Sequence, residues 1–299
     1  MAFKSGYVAI FGRPNVGKST LINQLLDFRL SITTAKPQTT RHRILGIKSD
    51  QNYQIIFTDT PGLIDPVYAL QEAMLRAARA AVKEADICLY LTETTVKPGE
   101  ADTAILSDLC RPGVPVVLGI NKIDLLETAE ILPLVGLYRD LFPFTDIVPI
   151  SALRNRNLDR LLSALLHLLP EGPALYPEDM ITDSPERFFV SEIIREQVFK
   201  HYGEEIPYAT AVVIDEFRER TGAKDHIRAR IVVERVSQKG ILIGKGGLAL
   251  KRVGREARLE IERFLGRPVY LEIWVAVREK WRRKAVYLKE FGYDKGTRE

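Results

Sequence analysis

Gly12-Arg13-Pro14-Asn15-Val16-Gly17-Lys18-Ser19 decides the fold. It follows an apolar, β-prone run, Tyr7-Val8-Ala9-Ile10-Phe11, and opens into Thr20-Leu21-Ile22-Asn23, the start of a helical pattern. The spacing G-x-x-x-x-G-K-[ST] between a strand and a helix is that of a phosphate-cradling loop. Its glycines let the backbone wrap so that successive N–H groups and the helix N-terminus face one anion. In such a loop the Lys18 amine neutralises the outer phosphates and the Ser19 hydroxyl is a ligand for Mg²⁺. Gly12, Arg13, Pro14, Asn15, Val16, Gly17 and Thr20 complete the candidate cradle.

Outward from this loop, the chain to about Leu169 alternates short apolar runs with segments of helical spacing. Residues 7–11, 54–57, 87–91, 114–120 and 147–149 read as strands, several apolar on both faces, while 70–84 and 158–168 read as helices. That succession predicts an α/β domain, a mostly parallel sheet flanked by helices, with ligands at the carboxyl ends of the strands. Between residues 170 and 185 the pattern lapses into Pro-Glu-Gly-Pro, Tyr-Pro-Glu-Asp and Asp-Ser-Pro, which cannot continue a helix. We therefore expect a first domain over 1–171, a linker over 172–185 and a second domain over 186–299. The second domain changes order: helix (186–201), strand (208–216), strand (227–236), two helices around a Gly-rich turn (240–264), strand (269–277) and a basic last helix, an α+β arrangement.

Three further motifs follow the phosphate loop in order. Asp59-Thr60-Pro61-Gly62 ends an apolar run, where the Asp59 carboxylate can hold Mg²⁺ through water and the Gly62 N–H can meet a γ-phosphate. Asn121-Lys122-Ile123-Asp124 comes straight after a strand pattern. A carboxylate at Asp124 can accept from both N1–H and the exocyclic N2 amine of guanine, donors that adenine lacks in that arrangement. Asn121 would bridge the base to a neighbouring loop, and Lys122 would lay its stem over the base or ribose. Ser151-Ala152, after the strand near Ile150, suits a backbone donor for guanine O6. Pro37-Gln38-Thr39-Thr40-Arg41 supplies a threonine to meet Mg²⁺ and the γ-phosphate; either Thr39 or Thr40 suits, with Thr40 favoured. Lys18, Thr40 and Gly62 are thus the candidate catalytic groups, and Ser19, Thr40 and Asp59 the candidate Mg²⁺ set. Leu63 stands where many signalling GTPases carry a glutamine that orients the attacking water, so intrinsic hydrolysis should be slow. No arginine finger is evident, Arg13 being only a weak candidate.

In the second domain, Ile241-Leu242-Ile243-Gly244-Lys245-Gly246-Gly247-Leu248 sets a G-x-x-G turn between two helical patterns. Glycines there let the backbone approach a sugar-phosphate chain, and Lys239, Gly240, Ile243, Lys245, Lys251 and Arg252 surround it. The element order and this turn are those of a KH domain, which clamps single-stranded nucleotides. Charge agrees: of 43 Lys and Arg against 39 Asp and Glu, sixteen basic and eight acidic residues lie from Lys239 to the end. The run Arg278-Glu279-Lys280-Trp281-Arg282-Arg283-Lys284 reads as a solvated helix face or as a contact for RNA or an anionic membrane.

A chain of 299 residues exceeds what one core usually serves, in keeping with two domains. Two cysteines, Cys88 and Cys110, and four scattered histidines exclude a disulfide scaffold and a zinc site. The chain has neither an apolar run near the ~18 residues of a membrane span nor a cleavable-signal pattern, so a cytoplasmic location is expected.

With Gly-Arg-Pro-Asn-Val-Gly-Lys-Ser, Pro-Gln-Thr-Thr-Arg-His-Arg, Asp-Thr-Pro-Gly-Leu and Gln-Lys-Gly-Ile-Leu-Ile-Gly-Lys-Gly-Gly in one chain, the sequence resembles the Era family of bacterial ribosome-assembly GTPases across essentially its whole length. The resemblance implies a P-loop GTPase domain followed by a type II KH domain, binding of GTP and GDP, and hydrolysis of GTP with Mg²⁺. It further implies a monomer whose KH groove holds a single-stranded 3′ segment of small-subunit ribosomal RNA during assembly of the small ribosomal subunit. It implies, too, a K⁺ ion at Asn15 that substitutes for an arginine finger. Ile64, Asp65, Val67 and Tyr68 depart from the more basic residues usual there. Two other readings remain: a constitutive RNA-binding protein whose nucleotide domain only adds stability, and a membrane-associated GTP switch using the basic tail.

Overall fold

The computed structural model describes residues 2–34, 36–95 and 97–293. These divide into two compact units, one of residues 1–65 with 74–183, the other of 66–73 with 184–299. In chain order the first elements are β1 (Lys4–Phe11), α1 (Lys18–Leu26), β2 (Ile44–Asp50), β3 (Tyr53–Asp59), α2 (Ala69–Glu84), β4 (Ile87–Glu93) and α3 (Glu100–Leu109). β5 (Val116–Asn121), α4 (Thr128–Leu141), β6 (Asp146–Pro149) and α5 (Leu158–Leu168) follow. The six strands form one sheet in the order β2-β3-β1-β4-β5-β6. All neighbours are parallel except β2, which runs antiparallel to β3 with Ile44 opposite Asp59.

Why these residues make this sheet is plain in β1, β3 and β4, whose apolar, largely β-branched or aromatic side chains are buried on both faces. Such strands need helices on both sides, and the amphipathic α5 supplies one with Leu158, Leu161 and Leu165 turned inward. β2 was not among the expected strands, and it carries Gly46, a weak strand former, in its middle. Packing explains that glycine: a Cβ there would lie 2.5 Å from Leu26 Cδ1 and 2.7 Å from Leu30 Cδ2, so α1 and the chain after it close directly onto the strand.

The proline-rich stretch after α5 lies along the first unit. Pro170 O accepts from Ser5 N–H, the Gln54 amide bonds the backbone of Leu175 and Tyr176, and Ile181 O accepts from Ile47 N–H.

The second unit contains α6 (Glu186–His201), α7 (Ile206–Ala209), β7 (Ala211–Arg218), β8 (Asp225–Val233), α8 (Val236–Ile243), α9 (Leu248–Leu265), β9 (Val269–Val277) and α10 (Ala285–Glu290). β8 is central, antiparallel to β7 and parallel to β9. One face of this sheet carries Ile227, Ala229 and Ile231 into a core closed by Ile194, Val253 and Ile261 of α6 and α9.

The basic run 278–284 is not the expected helix. Only Trp281–Arg283 form a short 3₁₀ turn, and the last helix begins at Ala285. Trp281 is fully buried, its Nε1–H donating to Ala209 O at 2.8 Å and its ring packed on Phe291 and Tyr293. Arg282 is bound to Glu234 at 2.6 Å. An aromatic that reads as a recognition group is a core anchor, since indole burial with a satisfied N–H outweighs any use at the surface. Among the described residues, no helix is long and apolar enough to cross a membrane.

Candidate nucleotide site and nucleic-acid interface

Because the strands are parallel, the carboxyl ends of β1, β3 and β5 meet at one edge of the sheet, and the first three motifs continue from them. The backbone of the β1–α1 loop is positive in φ at Gly12, Asn15 and Gly17. Two of these positions admit only glycine: a Cβ at Gly12 would sit 2.1 Å from Leu91 O, and one at Gly17 would sit 2.3 Å from Asn121 Nδ2. Lys18, nearly buried, donates its Nζ to Gly12 O at 3.2 Å and Arg13 O at 2.9 Å. Burial pulls its amine down to about 8, against the opposing pull of Asp59. The loop thus holds a cation that its own carbonyls only partly compensate, a setting that favours an anionic ligand.

Ser19 Oγ donates to Asp59 Oδ2 at 2.9 Å and lies 2.8 Å from Thr40 Oγ1, which reaches the same carboxylate oxygen at 3.5 Å. Three hard oxygens from three elements therefore converge. Asp59 is wholly buried, and its Oδ1 has no hydrogen-bond partner among the described residues. Burial pushes its carboxyl above the usual range, with the Ser31 hydroxyl foremost, then Lys18 and the Ser19 and Thr40 hydroxyls, acting the other way. A buried carboxylate short of partners beside two hydroxyls fits Mg²⁺, which takes few protein ligands when phosphates supply the rest. The structure also separates the two threonines. Thr39 Oγ1 is turned to Lys36 O at 2.6 Å and Thr34 Oγ1 at 2.7 Å, away from Ser19 and Asp59.

After Asp59, Thr60 Oγ1 anchors to Ile10 O at 2.8 Å, Leu63 N–H donates to Gly12 O at 3.2 Å, and Gly62 passes so close to Pro14 that a Cβ would lie 2.9 Å from its Cα. The Leu63 side chain packs into the core that contains Phe11 and Tyr90. An apolar side chain packed there cannot orient a water. The Arg13 guanidinium is bound to Asp102 at 2.8 Å, and Arg13 does not line the cavity.

On the other flank, Asn121 joins two loops. Its Nδ2 donates to Val16 O at 2.8 Å and its Oδ1 accepts from Ala152 N–H at 2.9 Å. The bridge therefore runs from the phosphate loop to Ser151-Ala152. Asp124 Oδ1 accepts from Ser151 Oγ at 2.5 Å, which aims the carboxylate. Lys122 pairs with Glu93 and takes up a positive φ. An open cleft of about 260 Å³ is lined by Lys18, Ser19, Thr40, Gly62, Asn121 and Asp124 among others. It is also lined by Leu125 and Leu153, exposed apolar residues that sequence reasoning passed over. Both directly follow residues of the candidate base-reading motifs, Asp124 and Ala152, and an apolar residue at each of those places was the available signal.

In the second unit the Gly-rich turn joins α8 to α9, with φ of 70°, 60° and 77° at Gly244, Gly246 and Gly247. A Cβ at Gly246 or Gly247 would meet nothing within 4 Å. Lys245, Gly240, Lys251 and Arg252 are exposed around the turn, Lys239 and Ile243 are half-buried, and Ile241 and Leu248 expose apolar surface beside it. Gly254 of α9 lies against Ile273 of β9. An open glycine backbone with cations and apolar side chains at its rim suits a strand of nucleic acid.

A family described as 50S ribosome-binding GTPase matches residues 7–122, and the KH domain family matches residues 205–282. The GTPase Era of Geobacter metallireducens is 48% identical over 292 residues, covering 97% of this chain and 98% of that protein. The GTPase Era of Clostridium botulinum is 44% identical over 98% of this chain and 99% of its own length. A crystal structure of Era in complex with MgGDPNP and nucleotides 1506–1542 of 16S ribosomal RNA superimposes with a TM-score of 0.94 at 44% identity, covering 97% of this chain and 99% of that one. A point variant of Aquifex aeolicus Era bound to GDP·AlF₄⁻ superimposes equally well, at the same identity and coverage.

Proposed function

Since the chain belongs to the Era family of GTPases, we propose that it binds GTP and GDP, hydrolyses GTP with Mg²⁺, and holds the single-stranded 3′ region of small-subunit ribosomal RNA on its KH domain during small-subunit assembly. The convergence of Ser19, Thr40 and Asp59 beside Lys18 is the observation that carries the catalytic half of this reading. In hydrolysis a water oxygen bonds the γ-phosphorus while the bond to the β–γ bridging oxygen breaks, and GDP and phosphate leave. Lys18 binds the β- and γ-phosphates and neutralises charge as it shifts to the leaving oxygen. The Gly62 N–H holds a γ-phosphate oxygen. Ser19 and Thr40 hold Mg²⁺, with Asp59 behind them, and the ion supplies Lewis-acid stabilisation of the phosphate oxygens. Asp124, aimed by Ser151, accepts from guanine N1–H and its N2 amine, and the Ala152 region addresses O6. Leu125 and Leu153 cover the faces of the base.

Water activation needs a group other than Leu63 or Arg13. Asn15, exposed at the cavity rim, suits a K⁺ site that adds the missing positive charge. We assign nucleotide chemistry to residues 1–171 and RNA binding to 186–299, with 172–185 connecting them. Lys239, Gly240, Ile243, Gly244, Lys245, Gly246, Gly247, Lys251 and Arg252 form the RNA contact. In this reading the protein works in the cytoplasm as a monomer. Lys280, Arg283 and Lys284, still exposed once Trp281 and Arg282 are engaged, are the cations available to an anionic membrane surface. Liposome pelleting unaffected by their removal would discard that contact.

The direct test is phosphate release from GTP with Mg²⁺ and K⁺, with and without a single-stranded RNA of the small-subunit 3′ end. Turnover that requires Mg²⁺, rises with K⁺ and is lost in Lys18→Ala supports the reading. RNA binding without any turnover would make the protein a constitutive RNA binder.

A further inference from the structure

Arg13 does not face the cavity, yet it is held more tightly than a loop side chain needs to be. Its Nη2 bonds Asp102 Oδ2 at 2.8 Å, and Asp102 is a carboxylate only 1% exposed in the first turn of α3, 89 residues along the chain. The same oxygen accepts from Gly99 N–H at 3.1 Å, while Oδ1 accepts from Tyr90 Oη–H at 2.5 Å. Burial and this carboxylate push the Tyr90 hydroxyl well above its usual range, so it stays a donor. The Tyr90 ring rests on Phe11, 5.3 Å between centroids, and Phe11 is the residue before the phosphate loop. One carboxylate therefore holds the start of the loop twice, through the Arg13 guanidinium and through Tyr90 on Phe11. Arg13 O, in turn, accepts from Lys18 Nζ at 2.9 Å. The β4–α3 connection also reaches the base-reading side, where Glu93 pairs with Lys122 and Thr94 Oγ1 donates to Lys122 O at 3.2 Å.

We propose that Asp102 is a positioning residue of the nucleotide site, fixing the phosphate loop through Arg13 in its ligand-ready path before nucleotide arrives. The chemistry favours a carboxylate: two charge-assisted or backbone donors converge on one oxygen and a phenol O–H on the other, whereas an amide could keep this geometry only by turning its NH2 toward the phenol, and would lose the negative charge that pairs with Arg13. A loop with three positive-φ residues would otherwise be ordered only at the ligand's expense, and ordering it in advance strengthens binding. The competing, purely local role for Asp102 is as a cap for α3 through Gly99. That role does not involve Arg13.

This inference rests on the nucleotide reading above, and the experiment separates the two. Dissociation of fluorescent GDP and steady-state GTP kinetics are measured for the full chain and for Asp102→Asn, Arg13→Met, Arg13→Lys and the Asp102→Asn/Arg13→Met pair. Asp102→Asn and Arg13→Met should each speed GDP release about tenfold. Together they should be no worse than either alone, because the two residues act as a unit. Arg13→Lys, which keeps a cation facing Asp102, should recover most of the loss. The KM for GTP should rise more than kcat falls. Independent, multiplying effects would overturn the proposal, as would wild-type nucleotide release in Asp102→Asn with only a lowered unfolding midpoint. If Asp102→Asn does not fold, the two Arg13 variants decide, since Arg13 is partly exposed: unchanged release in Arg13→Met sinks the idea. Failure of the unmutated protein to bind GDP would instead refute the nucleotide reading itself.

Discussion

The molecule has two glycine-rich turns fit to meet phosphate, and they are built in opposite ways. In the β1–α1 loop, glycine is imposed by neighbours already in place, Leu91 O at Gly12 and Asn121 Nδ2 at Gly17. In the α8–α9 turn, Gly244 is crowded, a Cβ there lying 2.7 Å from Ala249 Cβ, but the two glycines after it, Gly246 and Gly247, have nothing within 4 Å, and at these two glycine is required only by positive φ and by whatever approaches from outside. A small anion that must be enclosed needs a loop braced from behind. A long chain that must pass by needs bare backbone in the open.

Base reading is where the nucleotide site should fail most heavily. Asp124→Asn removes the acceptor of two guanine donors and should weaken GTP by on the order of 10²-fold, with xanthine nucleotides recovering binding in competition titrations. Unchanged GTP affinity would break the assignment. The comparison itself is tested by paired alanines in chemical denaturation. Gly17→Ala meets both a clash and a disfavoured φ and should cost about 2–3 kcal/mol along with nucleotide binding. Gly247→Ala meets only the φ penalty and should cost about 1 kcal/mol with GTP turnover intact. Equal costs would erase the distinction between the two turns. Gly247→Asp places bulk and negative charge in the open turn, so RNA affinity in filter binding should drop about tenfold while GTP affinity holds.

The gentlest effect concerns pH. Lys18 has its amine lowered by burial to about 8 in the fold, below its unfolded value of 10.5. Its burial therefore costs stability fully below pH 8, and the cost is relieved as pH rises from 8 toward 10.5. GTP phosphates favour the charged amine, so binding should take up a proton above about pH 8, and affinity should decline with a slope of at most about one log unit per pH unit. Calorimetry in buffers of differing ionisation enthalpy reads the proton directly. No uptake at about pH 9 would remove Lys18 from the phosphate contact.

Much of the site was legible in the sequence because its chemistry is local. Lys18 and Ser19 follow Gly17 directly, and Asn121 and Asp124 share one short loop, so spacing alone positions them. Other features were not legible because their partners lie far along the chain. Thr39 and Thr40 are chemically alike, and only packing turned Thr40 to Asp59 and Thr39 to Lys36. Trp281 among basic neighbours looked like a surface group until Ala209 and Phe291 proved to be its surroundings. Strand β2 was not expected, and the smallness of its Gly46 answers Leu26 and Leu30, which come together with it only in the fold.

By itself the sequence determined the order of parallel strands and helices, the phosphate loop, the choice of guanine and the glycine turn of the second domain. Each follows from residue type at short spacing, where backbone geometry leaves few alternatives. Tertiary structure alone decided which hydroxyls join Asp59, that Leu63 packs against the core, and that Arg13 answers to Asp102. Those outcomes depend on burial: a carboxylate or a leucine taken out of water must find partners, and the fold, not the neighbouring residues, determines which ones are within reach.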